Sequence, residues 1–369
     1  MRIELPATTK NITVEWLNEV LHENGFLGDS NIVSIQHEQI GIGEGFMSDI
    51  ARITLGYDKP ENGLSNTIVA KLPTSFPAAR LIGVRDNFYT NEIRFYTDVA
   101  PTVPLRTPEL IYSCIDEETQ NYILLLQDYS HCKKFDMATG ANEEQARFII
   151  SKLVDFHASW WDANNLYSFQ WMRKPDNSVD EIMAKRVGNS IDICLEIEGI
   201  EDFLPAGSLE ILKKIQEYYE WLLESERTSN LTIRHGDFRI TNMFIDPYAT
   251  DDYIVVYDWS GVRVSCGIGD LSYFIGWSLT TDTRRKIEGD LLKLYWENLH
   301  SKITIEYPYE EFTVDYLKGL LEYTAVPVLA LTRLDLSSVG GSQGDRYQRI
   351  MHRWFDTLIE NNAISVLPS

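Results

Sequence analysis

The stretch that decides the fold runs from residue 231 to residue 259 and reads LTIRHGDFRITNMFIDPYATDDYIVVYDW. Apolar runs at 231–233, 243–245 and 253–257 predict three short β-strands, because polar or turn-forming residues bound each of them. Two carboxylates and one carboxamide stand where these strands end, and they belong to Asp237, Asn242 and Asp258. We therefore expect the three side chains to converge at the ends of adjacent strands.

Side chains of these three types are the set that phosphoryl transfer requires. One carboxylate, Asp237, would orient an attacking hydroxyl and accept its proton. The amide oxygen of Asn242 and the carboxylate of Asp258 are hard oxygen ligands of the kind that magnesium prefers. The alternative interpretation is a polar turn in which Asp and Asn side chains hydrogen-bond the local backbone.

The spacing from His235-Gly236-Asp237 to Asn242, with a later strand that ends in Asp258, resembles the catalytic loop and metal-binding aspartate of the protein-kinase-like superfamily. With glycine after the histidine, the motif resembles the small-molecule branch of that superfamily. This branch contains aminoglycoside phosphotransferases, choline kinases and ecdysteroid-kinase-like phosphotransferases. The resemblance implies that His235 orients the loop and performs no proton chemistry. For Arg239 it implies contact with the γ-phosphate, and an ion pair within the loop is an equal alternative.

Upstream residues extend the resemblance to a nucleotide site. Gly41, Gly43 and Gly45 would let backbone amides approach a phosphate, although a plain glycine-rich hairpin explains them equally well. Residues 67–71 form an apolar strand that ends in Lys71 and is similar to the Val-Ala-Ile-Lys strand of kinases.

Two further features belong to this nucleotide site. Glu92 is the expected ion-pair partner of Lys71, and the alternative is an ordinary solvated helix carboxylate. The run 121–126 ends at Gln127 and Asp128, where kinase-like folds place the hinge whose backbone binds adenine.

Composition narrows the function classes. Of 369 residues, 55 are acidic and 33 basic, and the formal net charge of −22 repels nucleic acid and anionic membranes. The sequence has no apolar run long enough to span a membrane, and its beginning does not look like a secretory signal. Four scattered cysteines without CxxC spacing favour reduced thiols, so we expect a cytoplasmic protein. The sequence leaves the oligomeric state open.

The fold that these patterns and the resemblance imply is an α+β, two-lobed protein-kinase-like fold. We expect an N-terminal nucleotide-binding lobe over residues 1–127 and a mostly helical catalytic and substrate-binding lobe over residues 128–369. Further strands are predicted at 31–40 and 110–116, and a turn that enters another strand is predicted over 41–55. Helices are predicted at 11–25, 78–100, 142–161, 209–223, 283–299, 312–331 and 346–361. The stretch 162–207 is expected to be less regular.

Two side chains and two patches of the C-terminal part receive specific expectations. Asp270 is expected to cap a helix N-terminus, and His157 to be a packed helix histidine. Two acidic-aromatic patches, at 307–311 and 354–356, are expected to line a substrate pocket. Only a short segment separates Asp258 from Asp270, with no long activation segment or Ala-Pro-Glu-like anchor for a peptide.

The expected function is ATP- and magnesium-dependent phosphorylation of a hydroxyl on a small molecule. A protein kinase is the less favoured enzyme, and a pseudokinase-like nucleotide-binding or partner-binding module without turnover is the alternative from another class. An acidic pocket would favour amine-bearing alcohols such as aminoglycosides or choline. The motifs Glu92-x-x-Phe95-Tyr96 and His157-Ala158-Ser159-Trp160 resemble the ecdysteroid-kinase-like group and favour, slightly, a bulkier and more apolar alcohol.

Overall fold

The computed structural model describes residues 4–41, 47–59, 65–332 and 341–368. Its contacts divide the chain into two compact units. Unit 1 contains residues 1–133 and 246–261, and unit 2 contains residues 134–245 and 262–369. The division into lobes at residue 127 stays a prediction, and the segment that carries Asp258 packs with the N-terminal residues.

Unit 1 is built on a five-stranded antiparallel sheet with the order β1-β2-β3-β5-β4. Its strands are β1 (Ile32–Ile40), β2 (Ser48–Tyr57), β3 (Thr67–Pro73), β4 (Leu110–Ile115) and β5 (Tyr122–Gln127). In β3 the apolar side chains of Ile68, Ala70 and Leu72 are buried on one face. Successive side chains of a strand point to opposite faces, so Lys71 points to the other face.

The helices of unit 1 cover this sheet. They are α1 (Val14–Glu23), α2 (Pro77–Arg85) and α3 (Phe88–Arg94), and a π-helical turn at Phe95–Val99 follows α3. Leu17 and Leu21 of α1 share a core cluster with Ile53, Ile68 and Leu125 of the sheet. The single helix predicted over 78–100 is wrong, because Asn87 adopts a left-handed conformation with φ of 57° and separates α2 from α3.

Unit 2 is mostly helical. The remaining strands of the chain are short: β6 (Lys133–Lys134), β7 (Thr232–Arg234), β8 (Met243–Ile245), β9 (Ile254–Val256) and β10 (Arg263–Ser265). The helices of unit 2 are α4 (Glu143–Ser159), α5 (Asn177–Leu195), α6 (Ile200–Phe203), α7 (Ser208–Ser225), α8 (Ile268–Ser278), α9 (Thr281–His300), α10 (Tyr309–Tyr323), α11 (Ala325–Leu331) and α12 (Gly341–Glu360). Strands β7 and β10 pair in antiparallel register, with Arg234 opposite Arg263.

Helix α8 is the centre of unit 2, and all eleven of its residues are buried. It packs on α10, and Gly269 faces the guanidinium of Arg234 so closely that a Cβ there would lie 2.5 Å from the Arg234 Nη1. A side chain at position 269 would therefore displace the guanidinium of Arg234 from its present place.

Three sequence expectations for unit 2 are wrong. The stretch 162–207 contains the nineteen-residue helix α5. The helix predicted over 312–331 is interrupted at Thr324, because Pro327 has no N–H to donate to the carbonyl of Tyr323. The rings expected to line a pocket, Tyr307 and Trp354, are buried in the core, where Trp354 packs against the ring of Tyr273.

In the described part of the chain, no helix is both long and apolar enough to cross a membrane.

Buried charges hold the central helices of unit 2 together. Arg234 is fully buried, and its guanidinium lies 2.7 Å from Glu322 Oε1 and 3.0 Å from Glu226 Oε1. It also lies over the ring of Tyr323, 4.6 Å from the centroid. Arg263 pairs with the same Glu322 oxygen at 2.9 Å. Burial alone would lower the pKa of Arg234, but the charges around it raise that pKa well above its ordinary value.

We predict that Arg234→Met lowers the free energy of unfolding by about 3–5 kcal/mol, because it removes the fully buried cation that Glu322 and Glu226 share. Urea unfolding monitored by circular dichroism measures the change. The matched control is Arg346→Met, where a half-exposed arginine pairs with the half-exposed Asp136, and a change below about 1 kcal/mol is expected. Equal effects of the two substitutions would contradict a supporting role for Arg234.

Candidate active site

In unit 1, a buried lysine pairs with two carboxylates. Lys71 Nζ lies 2.7 Å from Glu92 and 3.2 Å from Asp258 Oδ1. The side chains of Lys71 and Glu92 are 12% and 3% exposed, and that of Asp258 is 37% exposed. The expected pair between Lys71 and Glu92 is therefore present, and the alternative of a solvated Glu92 is excluded.

The protonation of this cluster follows from its charges. Burial by itself lowers the pKa of an ammonium, but Asp258 and Glu92 outweigh it and hold the pKa of Lys71 well above its usual range. Burial raises the pKa of Glu92, and Lys71 offsets only part of that effect. The lysine is therefore a fixed positive charge, with a more exposed carboxylate beside it.

Helix α3 carries Glu92 and is fixed to the turn that carries Asp258. The ring of Phe95 stacks on the ring of Trp259 with centroids 3.7 Å apart and planes at 6°. Asn91 Nδ2 donates to the carbonyl of Ser260 at 3.1 Å. Asp258 itself has φ of 64°, an uncommon conformation for a residue with a side chain, and its carboxylate accepts a hydrogen bond from Ser260 Oγ. Both partners of Lys71 thus belong to one packed substructure.

The other residues predicted for nucleotide binding are placed as follows. Gly41 ends β1 in a left-handed conformation with φ of 70°, whereas Gly43 and Gly45 lie outside the described residues. Gln127 is the last residue of β5 and accepts a hydrogen bond from Tyr129 Oη. The buried carboxylate of Asp128 pairs with Arg52 Nε at 2.9 Å. Because the side chain of Asp128 is engaged in this way, its backbone is the part that remains to contact a base.

In unit 2, Asp237 is held by its own loop. Asn242 Nδ2 donates to the Asp237 carboxylate at 2.8 Å and to its backbone carbonyl at 2.9 Å. Arg239 Nε lies 3.0 Å from Asp237 Oδ1, so the ion pair that was one of the two expectations for Arg239 is present. His235 Nδ1 accepts from the Asp237 backbone N–H at 3.2 Å, which fits an orienting role for this buried histidine.

Asp270 is the site residue whose role the sequence reasoning missed. The expected N-cap is wrong, because α8 begins at Ile268 and Gly267 precedes it. Instead, the Asp270 carboxylate accepts the backbone N–H groups of His235 at 2.6 Å and Gly236 at 3.0 Å. Gly236 has φ of 87°, so the turn that presents these two N–H groups requires a glycine.

The surroundings of Asp270 keep it ionised. Tyr323 Oη donates to its carboxylate at 3.0 Å, and His157 Nε2 lies 3.5 Å away. Burial would raise the pKa of Asp270, but His157 and nearby positive charge lower it to about 2. His157 is fully buried and hydrogen-bonds Tyr295 Oη, so the expectation of a packed histidine is confirmed. The sequence signal for Asp270 was a carboxylate at the start of a largely apolar helix.

The donor atoms fit magnesium. Asn242 directs its NH₂ group at two acceptors of Asp237, which orients its Oδ1 as the remaining oxygen of the amide. Asp258 supplies a carboxylate that is more exposed than Glu92. Carboxylate and carboxamide oxygens are hard ligands suited to this cation.

Solved structures share the fold at low sequence identity. A provisionally assigned aminoglycoside phosphotransferase from Ralstonia eutropha is 14% identical with a TM-score of 0.56, over 94% of this chain and 97% of that one. An ethanolamine kinase from Plasmodium vivax is 10% identical with a TM-score of 0.53, over 95% of this chain and 88% of that one. This likeness confirms the predicted α+β protein-kinase-like fold class.

A curated relative from Caenorhabditis elegans is named Uncharacterized oxidoreductase dhs-27, and it is 22% identical over 332 residues. The match covers 81% of this chain, but the chain spans only 38% of the length of that relative. The name therefore describes a much longer protein.

A sequence model of the Ecdysteroid kinase-like family matches residues 42–305. That range includes Lys71, Glu92, Asp237, Asn242 and Asp258, and it spans well over half of the chain. With the protein-kinase-like fold and the placement of these side chains, the match leads to one conclusion: this chain belongs to the ecdysteroid kinase-like family.

Proposed function

We propose that this protein is an ATP- and magnesium-dependent phosphotransferase that phosphorylates a hydroxyl group of a small molecule. The observation that carries the proposal is the buried Lys71 ammonium, fixed by Glu92 and placed beside Asp258. Phosphotransferases of this fold use a strand lysine, paired with a helix glutamate, to bind nucleotide phosphates. Membership in a kinase-like family supports the same activity.

Lys71, the three glycines and the residues at the end of β5 each take one role in nucleotide binding. Lys71 binds phosphate oxygens, and its charge is permanent because two carboxylates keep its pKa high. From the sequence alone, Gly41, Gly43 and Gly45 are proposed to offer backbone N–H groups to the phosphates. The backbone of Gln127 and Asp128, at the end of β5, binds the adenine.

We propose that Asn242, through Oδ1, and Asp258, through its carboxylate, would each supply an oxygen ligand to magnesium. When bound, this cation neutralises charge on the phosphates of the nucleotide. A second function of Asn242 is visible in the loop, since its NH₂ group fixes the Asp237 carboxylate. One amide thus fixes the catalytic carboxylate on one side and offers a metal ligand on the other.

Asp237 orients the acceptor hydroxyl and takes its proton as the hydroxyl oxygen bonds to the γ-phosphorus of ATP and the bond from that phosphorus to the departing ADP breaks. The carboxylate is preorganised because Asn242 and Arg239 both contact it. Arg239 is a positive charge next to the reacting group, and in the presence of nucleotide we propose that it contacts the γ-phosphate. His235 and Asp270 position the loop and do not touch the reacting atoms.

The acceptor is a small molecule, because the chain between Asp258 and α8 is short. It contains the turn at Trp259–Gly261 and strand β10, and α8 begins at Ile268. An extended peptide substrate needs a longer activation segment than this. Within small molecules, the family match favours a bulky steroid-like alcohol over the amino alcohols named for the structural neighbours.

We also propose a cytoplasmic location. All four cysteines, at positions 114, 132, 194 and 266, are free thiols in the structure. Reduced thiols are typical of the cytoplasm, whereas exported domains commonly form disulfides.

We predict that Asp237→Asn lowers turnover by a factor of about 10² or more while ATP binding is retained, since positioned acid–base groups contribute about 10²–10⁴. The measurement is transfer of radiolabelled γ-phosphate to a panel of steroid alcohols, aminoglycosides, choline, ethanolamine and sugars. The control is Asp202→Asn, an exposed aspartate of α6 in the same unit, which should retain full turnover.

Two results would refute this assignment. Wild-type turnover in Asp237→Asn would remove Asp237 from the mechanism. Rapid phosphorylation of casein, with no small alcohol accepted, would contradict the small-molecule acceptor. ATP binding without transfer to any acceptor would instead support the pseudokinase alternative.

We predict that Asn242→Ala and Asp258→Ala each raise the magnesium concentration needed for half-maximal nucleotide binding, because each removes an oxygen ligand. Titration of magnesium at fixed ATP, followed by a fluorescent nucleotide, measures the shift. Asn164→Ala, at an exposed turn position, should leave the midpoint unchanged. An unchanged midpoint in both site variants would exclude these two residues as ligands.

A further inference from the structure

Outside the proposed active-site residues, unit 1 brings together an imidazole, a thiol and a carboxylate. They belong to His131, Cys132 and Asp246, and one ligand atom from each lies within 4.8 Å of the other two. We infer that these three side chains bind a zinc ion. The inferred site uses none of the residues proposed for magnesium or for the nucleotide phosphates.

The ligand types favour zinc over magnesium. Zinc binds imidazole nitrogen, thiolate sulfur and carboxylate oxygen at about 2.0–2.3 Å, whereas magnesium requires oxygen ligands. Around one tetrahedral ion, such bonds place neighbouring ligand atoms about 3.3–3.8 Å apart. Atoms that already lie within 4.8 Å reach that spacing through small side-chain rotations. His131 is exposed, so its ring is able to make this adjustment.

The buried ligand, Asp246, is already oriented by its neighbours. Arg106 Nη2 donates to its Oδ2 at 2.7 Å, and the Tyr248 backbone N–H donates to its Oδ1 at 2.9 Å. Arg106 is in turn fixed by a hydrogen bond to the carbonyl of Asp252 at 2.8 Å. Hydrogen bonds of this kind are the outer-shell support that fixes the carboxylate ligands of metal sites.

The two other ligands, His131 and Cys132, are adjacent in sequence and have aromatic and backbone neighbours. The His131 ring has the Tyr129 ring 5.6 Å away and the Tyr248 ring 6.1 Å away, measured between centroids. The Cys132 backbone N–H closes a turn by donating to the carbonyl of Tyr129 at 2.9 Å. Binding would release the Cys132 thiol proton to solvent and leave a thiolate ligand.

The charges at the site are compatible with a divalent cation. Thiolate and carboxylate together carry two negative charges, which match the charge of the ion, and Arg106 adds one positive charge at the far carboxylate oxygen. Three protein ligands leave a fourth tetrahedral position for water. The ion would join the segment after β5 to the segment before β9, two parts of unit 1 that are distant in sequence.

Cobalt(II) tests the inference, because it replaces zinc in tetrahedral sites and its absorption reports thiolate ligation. The chain, first stripped with a chelator, should bind one Co²⁺ with a sulfur-to-metal charge-transfer band, and Zn²⁺ should displace it. Cys132→Ser should abolish the band. His131→Ala should weaken Zn²⁺ binding by more than the roughly 10–100-fold that outer-shell changes cause.

The matched control is Cys114→Ser, because Cys114 is the other free cysteine that is not fully buried. This variant should keep the band and the affinity of the wild-type chain. No stoichiometric Co²⁺ or Zn²⁺ binding by the wild-type chain would overturn the inference without the use of any variant. A band that survives Cys132→Ser, or that disappears in Cys114→Ser, would also overturn it.

Discussion

The buried ammonium of Lys71 is the constraint on which unit 1 depends. A cation that is only 12% exposed is costly to remove from water, and this one is tolerated because Glu92 and Asp258 both lie within 3.2 Å. Removal of one partner from a buried pair typically costs about 3–5 kcal/mol. Helix α3 and the Asp258 turn must therefore stay in place together, which explains why Phe95 stacks on Trp259 beside them.

Unit 2 also has charged groups in its interior, and different residues stabilise them. Its loop at 235–237 presents two backbone N–H groups to a buried carboxylate, Asp270, which helix α8 carries. Arg234 lies against that helix and neutralises Glu322. Its guanidinium fits there because glycine at position 269 has no side chain to occupy the same space. The charged residues in this interior thus position a loop, and apolar packing alone would not orient its N–H groups.

The sequence predicted much of this because its signals were local. An apolar run that ends in Lys71 predicted β3, and a helix was predicted to begin at Asn142, where the structure has the capping box of α4. Contacts between distant segments were harder to predict. Asp270 has the residue type of an N-cap, and its true partners are 34 and 35 residues away in the chain. Likewise, the hydrophobic periodicity of the sequence does not show whether Trp354 is buried in the core or lines a pocket.

Calorimetric titration of ATP in the presence of magnesium tests most directly whether the Lys71 ammonium binds nucleotide phosphate. We expect Lys71→Met to remain folded at reduced stability, as checked by circular dichroism, and to lose at least about tenfold in affinity, which corresponds to about 1.4 kcal/mol. The matched control is Lys10→Met, at an exposed lysine of the same unit, which should bind ATP like the wild-type chain. Equal ATP affinity in wild type and Lys71→Met would contradict the account.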